Sequence, residues 1–230
     1  MSTGRVKESP GTPDRKTPLA NTHPVDSHPK RVRMSAKQRE EQLLDIAEEL
    51  FTQRGFENVS IEDIARTAGV TRPVIYQHFR SLQGVFVACV ARARREQEQR
   101  TLERVEAAGD GFSELIRAGG AAYFDLIEAD PDRFILLFSS STSVHGEIGD
   151  QLNVLRTGTI EVIASTVRRQ RPDVKPEAAL AFAYAASGIG EQLGRWWLTK
   201  PTMSKRRILD YYTSAVEGAF DGIVAMRYRR

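Results

Sequence analysis

The chain has 230 residues, 40% hydrophobic, 27% charged and 8% aromatic, with a formal net charge of +3. That balance is ordinary for a globular protein and excludes collagen-like, mucin-like and wholly disordered chains. A single cysteine, Cys89, excludes an intrachain disulfide and a cysteine-rich zinc site, and its apolar flanks (Val85, Phe86, Val87, Val90) predict a buried, inert thiol.

Residues 1–34 carry seven Lys/Arg against three acids, and the last four residues include Arg227, Arg229 and Arg230. The span between is therefore net acidic at −4, and the pI near 9.1 belongs to the tails. A pI of that origin does not by itself argue for nucleic acid. Residues 1–34 also hold five of the ten prolines and almost no apolar side chains, so they read as a disordered basic arm. They contain no apolar run of the kind a secretory signal needs. The most apolar stretch, Ala178 to Gly190, has 13 residues, short of the roughly 20 that span a bilayer. The expectation is a soluble cytoplasmic chain with no membrane partner.

Predicted order begins at Ser35. Ser35-Ala36-Lys37-Gln38 is a capping-box pattern, and Leu43, Ile46, Ala47, Leu50 and Phe51 then recur at helical spacing up to a capping Gly55. Ser60, with Asp63 three residues on, caps a second helix whose apolar stripe is Ile61, Ile64, Ala65 and Ala68. Gly69 follows, and Thr71 caps a third helix with Pro73 in its first turn. Ile75 and Phe79 face inward from that helix. Arg72, Pro73, Val74, Tyr76, Gln77 and His78 are left at or near its open faces. Three helices of about 18, 8 and 8 residues with a tight glycine turn make a helix-turn-helix, whose third helix fits a DNA major groove.

From Leu82 onward the spacing predicts helices over about 82–107, 111–129, 131–141, 147–170, 176–199 and 204–226. The breaks fall at Gly109-Asp110-Gly111, Asp130-Pro131, the Ser139–Ser143 run, Arg171-Pro172 and Lys200-Pro201. The fold class is all-α, about nine helices. It divides into an arm (1–34), a DNA-binding domain (35–81) and a larger effector-binding and dimerisation domain (82–230).

The run from Ile61 to Phe79, with Ala68-Gly69-Val70 and Tyr76-Gln77-His78-Phe79, resembles the signature of the TetR family of bacterial transcriptional regulators. Phe51 with Arg54-Gly55-Phe56 is similar to the end of that family's first helix. The resemblance covers about 47 residues. It implies that Tyr76 and His78 grip phosphates and that Arg72, Pro73, Val74 and Gln77 meet base edges. By their chemistry Arg72 can pair with a guanine, Gln77 with an adenine, and Val74 can touch a thymine methyl. Thr71 lies at the same helix end, Ser60 suits a further phosphate, and Lys37, Arg39 and the arm can add backbone contacts. The sequence departs at Leu82, where the family usually has a phosphate-gripping lysine. Either Arg80 or the arm supplies that charge.

One helix-turn-helix reads half a site, so a palindromic operator in double-stranded DNA calls for a homodimer. The last two long helices are the candidates. Ala181 and Ala185, then Gly190 and Gly194, recur every four residues, and Tyr212, Ala215, Ala219 and Phe220 mark the final helix. Two such helices per subunit would form a four-helix bundle. For a small, largely apolar or aromatic effector the candidates are Tyr123, Phe134, Phe138, His145, Asn153, Arg156, Tyr184, Gln192 and Trp196. No catalytic, metal or cofactor residues are expected, because none of the phosphate-loop, dinucleotide, zinc-protease or nucleophile-elbow motifs occurs. The resemblance makes repression the default. A DNA-binding regulator with no small-molecule effector stays open as the alternative.

Overall fold

The first helix begins where a serine caps it. Ser35 Oγ accepts from the Gln38 amide at 3.2 Å, and the Gln38 side chain accepts from the Ser35 N–H at 2.9 Å. In this computed structural model, which describes residues 34–109, 111–143 and 146–226, it opens α1, Ala36–Arg54. Gly55 ends α1 at φ +76 but with an extended ψ of 155. One 3₁₀ turn not predicted by spacing, Phe56–Asn58, then leads to Val59. Residues 1–33 of the arm and Arg227, Arg229 and Arg230 lie outside the described residues.

Ser60 caps α2, Ile61–Ala68, reciprocally with Asp63. Gly69 follows in the left-handed region (φ +64, ψ 34), where a β-carbon is penalised, and α3, Arg72–Phe79, starts after the turn. Thr71 stands at the N-cap of α3, yet its side chain makes no capping bond, which corrects the expectation of a hydroxyl cap there. Pro73, one residue into the helix, lowers the number of amides that need one.

Ser81 then caps α4, Leu82–Ala107, by accepting from the Gly84 amide at 3.0 Å. At 1.5 Å per residue this helix is about 39 Å long. It is followed by α5 (Phe112–Ala129), α6 (Pro131–Ser143), α7 (Glu147–Gln170), α8 (Pro176–Leu198) and α9 (Lys205–Ala225). The Ser139–Ser143 run is helical rather than a break: serine disfavours a helix by only a few tenths of a kcal/mol, and α6 continues through it. Among the described residues there is no strand. No described helix is long and apolar enough to cross a membrane.

The core of the helix-turn-helix is not separate from the body. Leu43, Ala47, Leu50 and Phe51 of α1 share one buried cluster with Ile64, Ile75, and Val85, Phe86, Cys89 and Val90 of α4. The same cluster reaches Leu126 of α5, Leu136 of α6 and Leu152 of α7. Cys89 is fully buried, its Sγ 3.7 Å from the Leu44 carbonyl, and burial, with the Glu48 carboxylate nearby, pushes the thiol up to about 12. Over this core lies an ionic layer. Glu48 of α1 accepts from Arg92 of α4 at 2.7 Å and is ion-paired with Arg133 of α6, whose Nε lies 2.8 Å away, and Arg133 also donates to Glu96 at 2.6 Å.

Candidate nucleic-acid interface and internal cavity

The N-terminal face of α3 is open. Arg72, Pro73 and Gln77 are exposed, as is Thr71 just before them, and the Tyr76 ring is 48% exposed although its neighbours Ile75 and Phe79 are buried. A large aromatic held out in water beside a core face is a surface waiting for contact. Arg72 Nε lies 2.9 Å from Glu62 of α2, both side chains well exposed, so a base edge must compete with that pair. Val74 is half-buried against the core, with only part of its methyl surface left outward. His78 is largely covered, its Nδ1 3.8 Å from Glu40 of α1. That contact ties the end of α3 to the start of α1, where Lys37 is exposed and Arg39, half-buried, donates to Gln42.

Arg80 is exposed with φ +62, the sole non-glycine residue in that region among those described. Ser60 is placed less favourably for a phosphate. Its amide and hydroxyl both bond to the Asp63 side chain, whose carboxyl those bonds hold below the usual carboxylate range, with Arg66 assisting. A carboxylate thus already sits over the N-terminus of α2, against the expectation for Ser60.

A cavity of about 210 Å³ opens between α4, α5, α7, α8 and α9. Its far end is largely apolar: Leu102, Val105, Phe112, Leu115, Ile116, Val162, Ile163, Val167, Phe182 and Val216, with Thr166 and Gln170 of α7 also on the wall. Its other end, nearer the start of α4, gathers Arg94, Gln97, Glu98, Tyr123, Phe138, Arg156 and Thr159. Arg94 stacks over the Phe138 ring at 5.3 Å, and burial depresses its pKa from the ordinary value, with the Arg156 charge adding to the effect. Burial also holds the Tyr123 phenol well above its ordinary range, with Glu191 contributing. The Tyr123 hydroxyl has no hydrogen-bond partner among the described residues. Arg156 Nη2 is 3.2 Å from Glu191, which Arg195 also contacts at 3.3 Å.

The effector residues expected from sequence are therefore only partly brought together. Tyr123, Phe138 and Arg156 line the cavity. Phe134 does not, being packed in the core among Ile127, Phe124 and Ile208. Asn153, Tyr184, Gln192 and Trp196 are exposed and off the cavity, and His145 lies outside the described residues. The dimer residues separate in the same way. Ala181 and Ala215 are exposed, and Ala185 and Ala219 half-buried. Gly190 is packed under the Tyr212 and Tyr123 rings (3.4 and 3.6 Å from where a β-carbon would stand), and Gly194 under Ile127 and Phe134. Phe220 is buried against Phe112 and Phe182, and Tyr212 lines the cavity. Gly190, Gly194, Tyr212 and Phe220 thus serve the interior and are unavailable to a partner.

Residues 43–89 match the family described as bacterial regulatory proteins, tetR family. The HTH-type transcriptional activator FasR of Mycolicibacterium smegmatis is 28% identical over 207 residues, 87% of this chain and 91% of FasR. Residues 43–89 are thus a TetR-family segment. The fold of the chain is shared with a tetR-family transcriptional regulator from Streptomyces coelicolor (TM-score 0.64, 21% identity, 84% of this chain and 83% of that one). It is also shared with the transcriptional regulator FadR from Bacillus subtilis, solved in complex with stearoyl-CoA (TM-score 0.64, 15% identity, 79% and 98%).

Sequence reasoning missed most of the cavity wall. Arg94, Gln97, Glu98 and Thr101 fall one turn apart along α4, a spacing that reads as a solvated face. The signal that separates them from a solvated face is what surrounds them. Leu102 and Val105 continue the same face in apolar form, so the polar run ends inside the body.

Proposed function

We propose that this TetR-family DNA-binding transcriptional regulator docks as a homodimer on a palindromic operator and is released by a ligand held in the α4–α9 cavity. Residues 35–81 form the DNA-binding part and residues 82–230 the effector and dimerisation part. The observation that carries this reading is continuity. One long helix, α4, is buried at its start in the core of the helix-turn-helix and lines the cavity from Arg94 to Val105. A ligand that prefers one position of α4 changes the spacing of two recognition helices, which must lie about 34–36 Å apart to read adjacent major grooves. A thousandfold loss of operator affinity requires about 4 kcal/mol of such preference.

The opposite face of α8 supports the dimer. Ala181, Tyr184, Gly188, Gln192 and Trp196 fall on one side of that helix, and Tyr211, Ala215, Gly218 and Gly222 on one side of α9. All nine are exposed or half-buried, and a β-carbon at Gly188, Gly218 or Gly222 would meet nothing within 4 Å. Trp196 and Tyr211 touch across the two helices, ring centroids 6.2 Å apart. A second copy seated here buries the exposed aromatic rings and brings backbones close over the glycines. The contacts with DNA are assigned to Arg72, Pro73, Val74 and Gln77 at base edges, and to Tyr76, His78, Arg80, Lys37 and Arg39 at phosphates. Repression is the expected sign, and because FasR is named an activator an operator–reporter fusion scores it directly.

Selection of bound genomic fragments with the purified chain yields the operator, and fluorescence anisotropy then measures affinity. Arg72→Ala is expected to cost about 1–3 kcal/mol and to relax one operator position. Equal loss on every sequence makes Arg72 a phosphate contact instead. A strictly monomeric chain that ignores all duplexes at low salt overturns the reading.

A further inference from the structure

Resting on the reading of the cavity as an effector site, we infer that the effector is an amphiphile with an ionised carboxylate head, seated between Arg94, Arg156 and the Tyr123 hydroxyl, its tail in the apolar end. The shape supports this division. From Arg94 to Val105 the cavity follows α4 for 11 residues, about 16 Å, and its chemistry changes once along that length. Past Thr101 the α4 side is Leu102 and Val105, faced by aromatic and branched side chains from α5, α7, α8 and α9. The polar side chains on that stretch are Thr166, whose hydroxyl already donates to the Val162 carbonyl, and Gln170.

The head end is net positive. Arg94 and Arg156 stand on the wall with one carboxylate, Glu98, which accepts the Thr159 hydroxyl. Adding the adjoining Glu191 and Arg195 still leaves three guanidiniums against two carboxylates among the described residues. Tyr123 adds an O–H that is buried and without an acceptor among those residues, and its phenol stays protonated because burial opposes the phenolate. An ionised carboxylate has two oxygens and only acceptor capacity, the complement of two guanidiniums and a phenol. An alcohol brings a further donor and no charge. A thioester brings a neutral carbonyl, and attaches a bulky polar group where Phe138 and Arg94 already stack.

Calorimetric titration of the full chain with dodecanoate, dodecan-1-ol and dodecanoyl-coenzyme A tests the assignment, because the three share one tail. Dodecanoate is expected to bind at least about tenfold more tightly than dodecan-1-ol, the ratio a charge-assisted hydrogen bond gives. In Arg94→Gln that ratio is expected to fall below about threefold, chiefly through loss of acid affinity. Equal binding of acid and alcohol in the natural chain overturns the carboxylate head, as does a ratio that survives in Arg94→Gln. Tighter binding of the coenzyme A ester than of the acid overturns it in favour of a thioester. If none of the three binds a chain that still holds its operator, the cavity reading fails along with the head group. Should Arg94→Gln not fold, Tyr123→Phe takes its place, with loss of acid affinity alone as the expected result.

Discussion

Arg80 is held at φ +62, ψ −30, a conformation that costs a side-chain-bearing residue of order 1 kcal/mol and that glycine adopts freely. Nothing in its local bonding demands an arginine. Its amide closes α3 on the Tyr76 carbonyl at 3.1 Å, as a glycine amide would. The charge is thus retained against a local penalty, directly after the recognition helix and two residues before the leucine that replaces the usual lysine. Arg80→Gly is expected to raise the midpoint of thermal unfolding, by up to about 1 kcal/mol of stability, and to weaken operator binding at every sequence while flattening its salt dependence. A variant as tight as the natural chain would hand the missing charge to the arm instead. The pattern around this residue was legible in the sequence: Gly69, the two serine caps and the apolar pair Ile75 and Phe79 are local signals, and local signals survive without tertiary context. Ser60 was less legible, because a capping box and a phosphate site use the same hydroxyl and amides, and the competing Asp63 carboxylate takes them.

The joint between α3 and α4 is set by a close approach. A β-carbon at Gly84 would stand 2.0 Å from the Phe79 carbonyl oxygen, a backbone atom that cannot rotate aside. Gly84→Ala therefore forces the first turn of α4 away from α3. The expected cost is about 1–3 kcal/mol, measured by urea unfolding, together with loss of operator affinity as the recognition helix is re-aimed. An alanine that leaves both unchanged shows the corner to be more pliant than its geometry. Helix boundaries were readable to within two residues from Leu82 to Thr199 except in the serine run, because proline, glycine and caps punctuate the chain. The faces of α8 were not. Ala181 and Ala185 form one four-residue series and Gly190 and Gly194 another, five residues apart from the first, which is half a turn out of phase. Small residues permit close approach without saying by what. At Gly190 and Gly194 the neighbours are Tyr123, Tyr212, Ile127 and Phe134 of the same chain, whereas Ala181 faces water. Tyr184, Gln192 and Trp196 share the outward series, which turns three expected effector residues into candidates for the partner face.

For the whole molecule the question is how a cavity filled near Phe138 is felt at α3, and two connections are built into the fold. One is α4 itself. The other runs through α6, whose Phe138 lies on the cavity and whose Arg133, just over one turn earlier, is ion-paired with Glu48 of α1 at 2.8 Å and donates to Glu96 of α4 at 2.6 Å. Glu48 is shared with Arg92, and the three side chains are only 13–14% exposed, so the group is screened less than a surface pair would be. A shift of α6 on ligand binding must carry Arg133 with it or break a largely covered ion pair, and either outcome alters how α1 sits on α4. Removing the cation should therefore weaken the coupling of the two sites more than it weakens either site. In Arg133→Met, which keeps the length of the side chain, dodecanoate affinity of the free chain and operator affinity without ligand are expected to stay within about threefold of the natural values. The factor by which saturating dodecanoate weakens operator binding is expected to drop at least about tenfold, a loss near 1.4 kcal/mol of coupling free energy. Because linkage is reciprocal, the same drop must appear when dodecanoate affinity is measured with and without operator, which guards against a change confined to one binding step. Both ratios unchanged in Arg133→Met would assign the transmission to α4 alone.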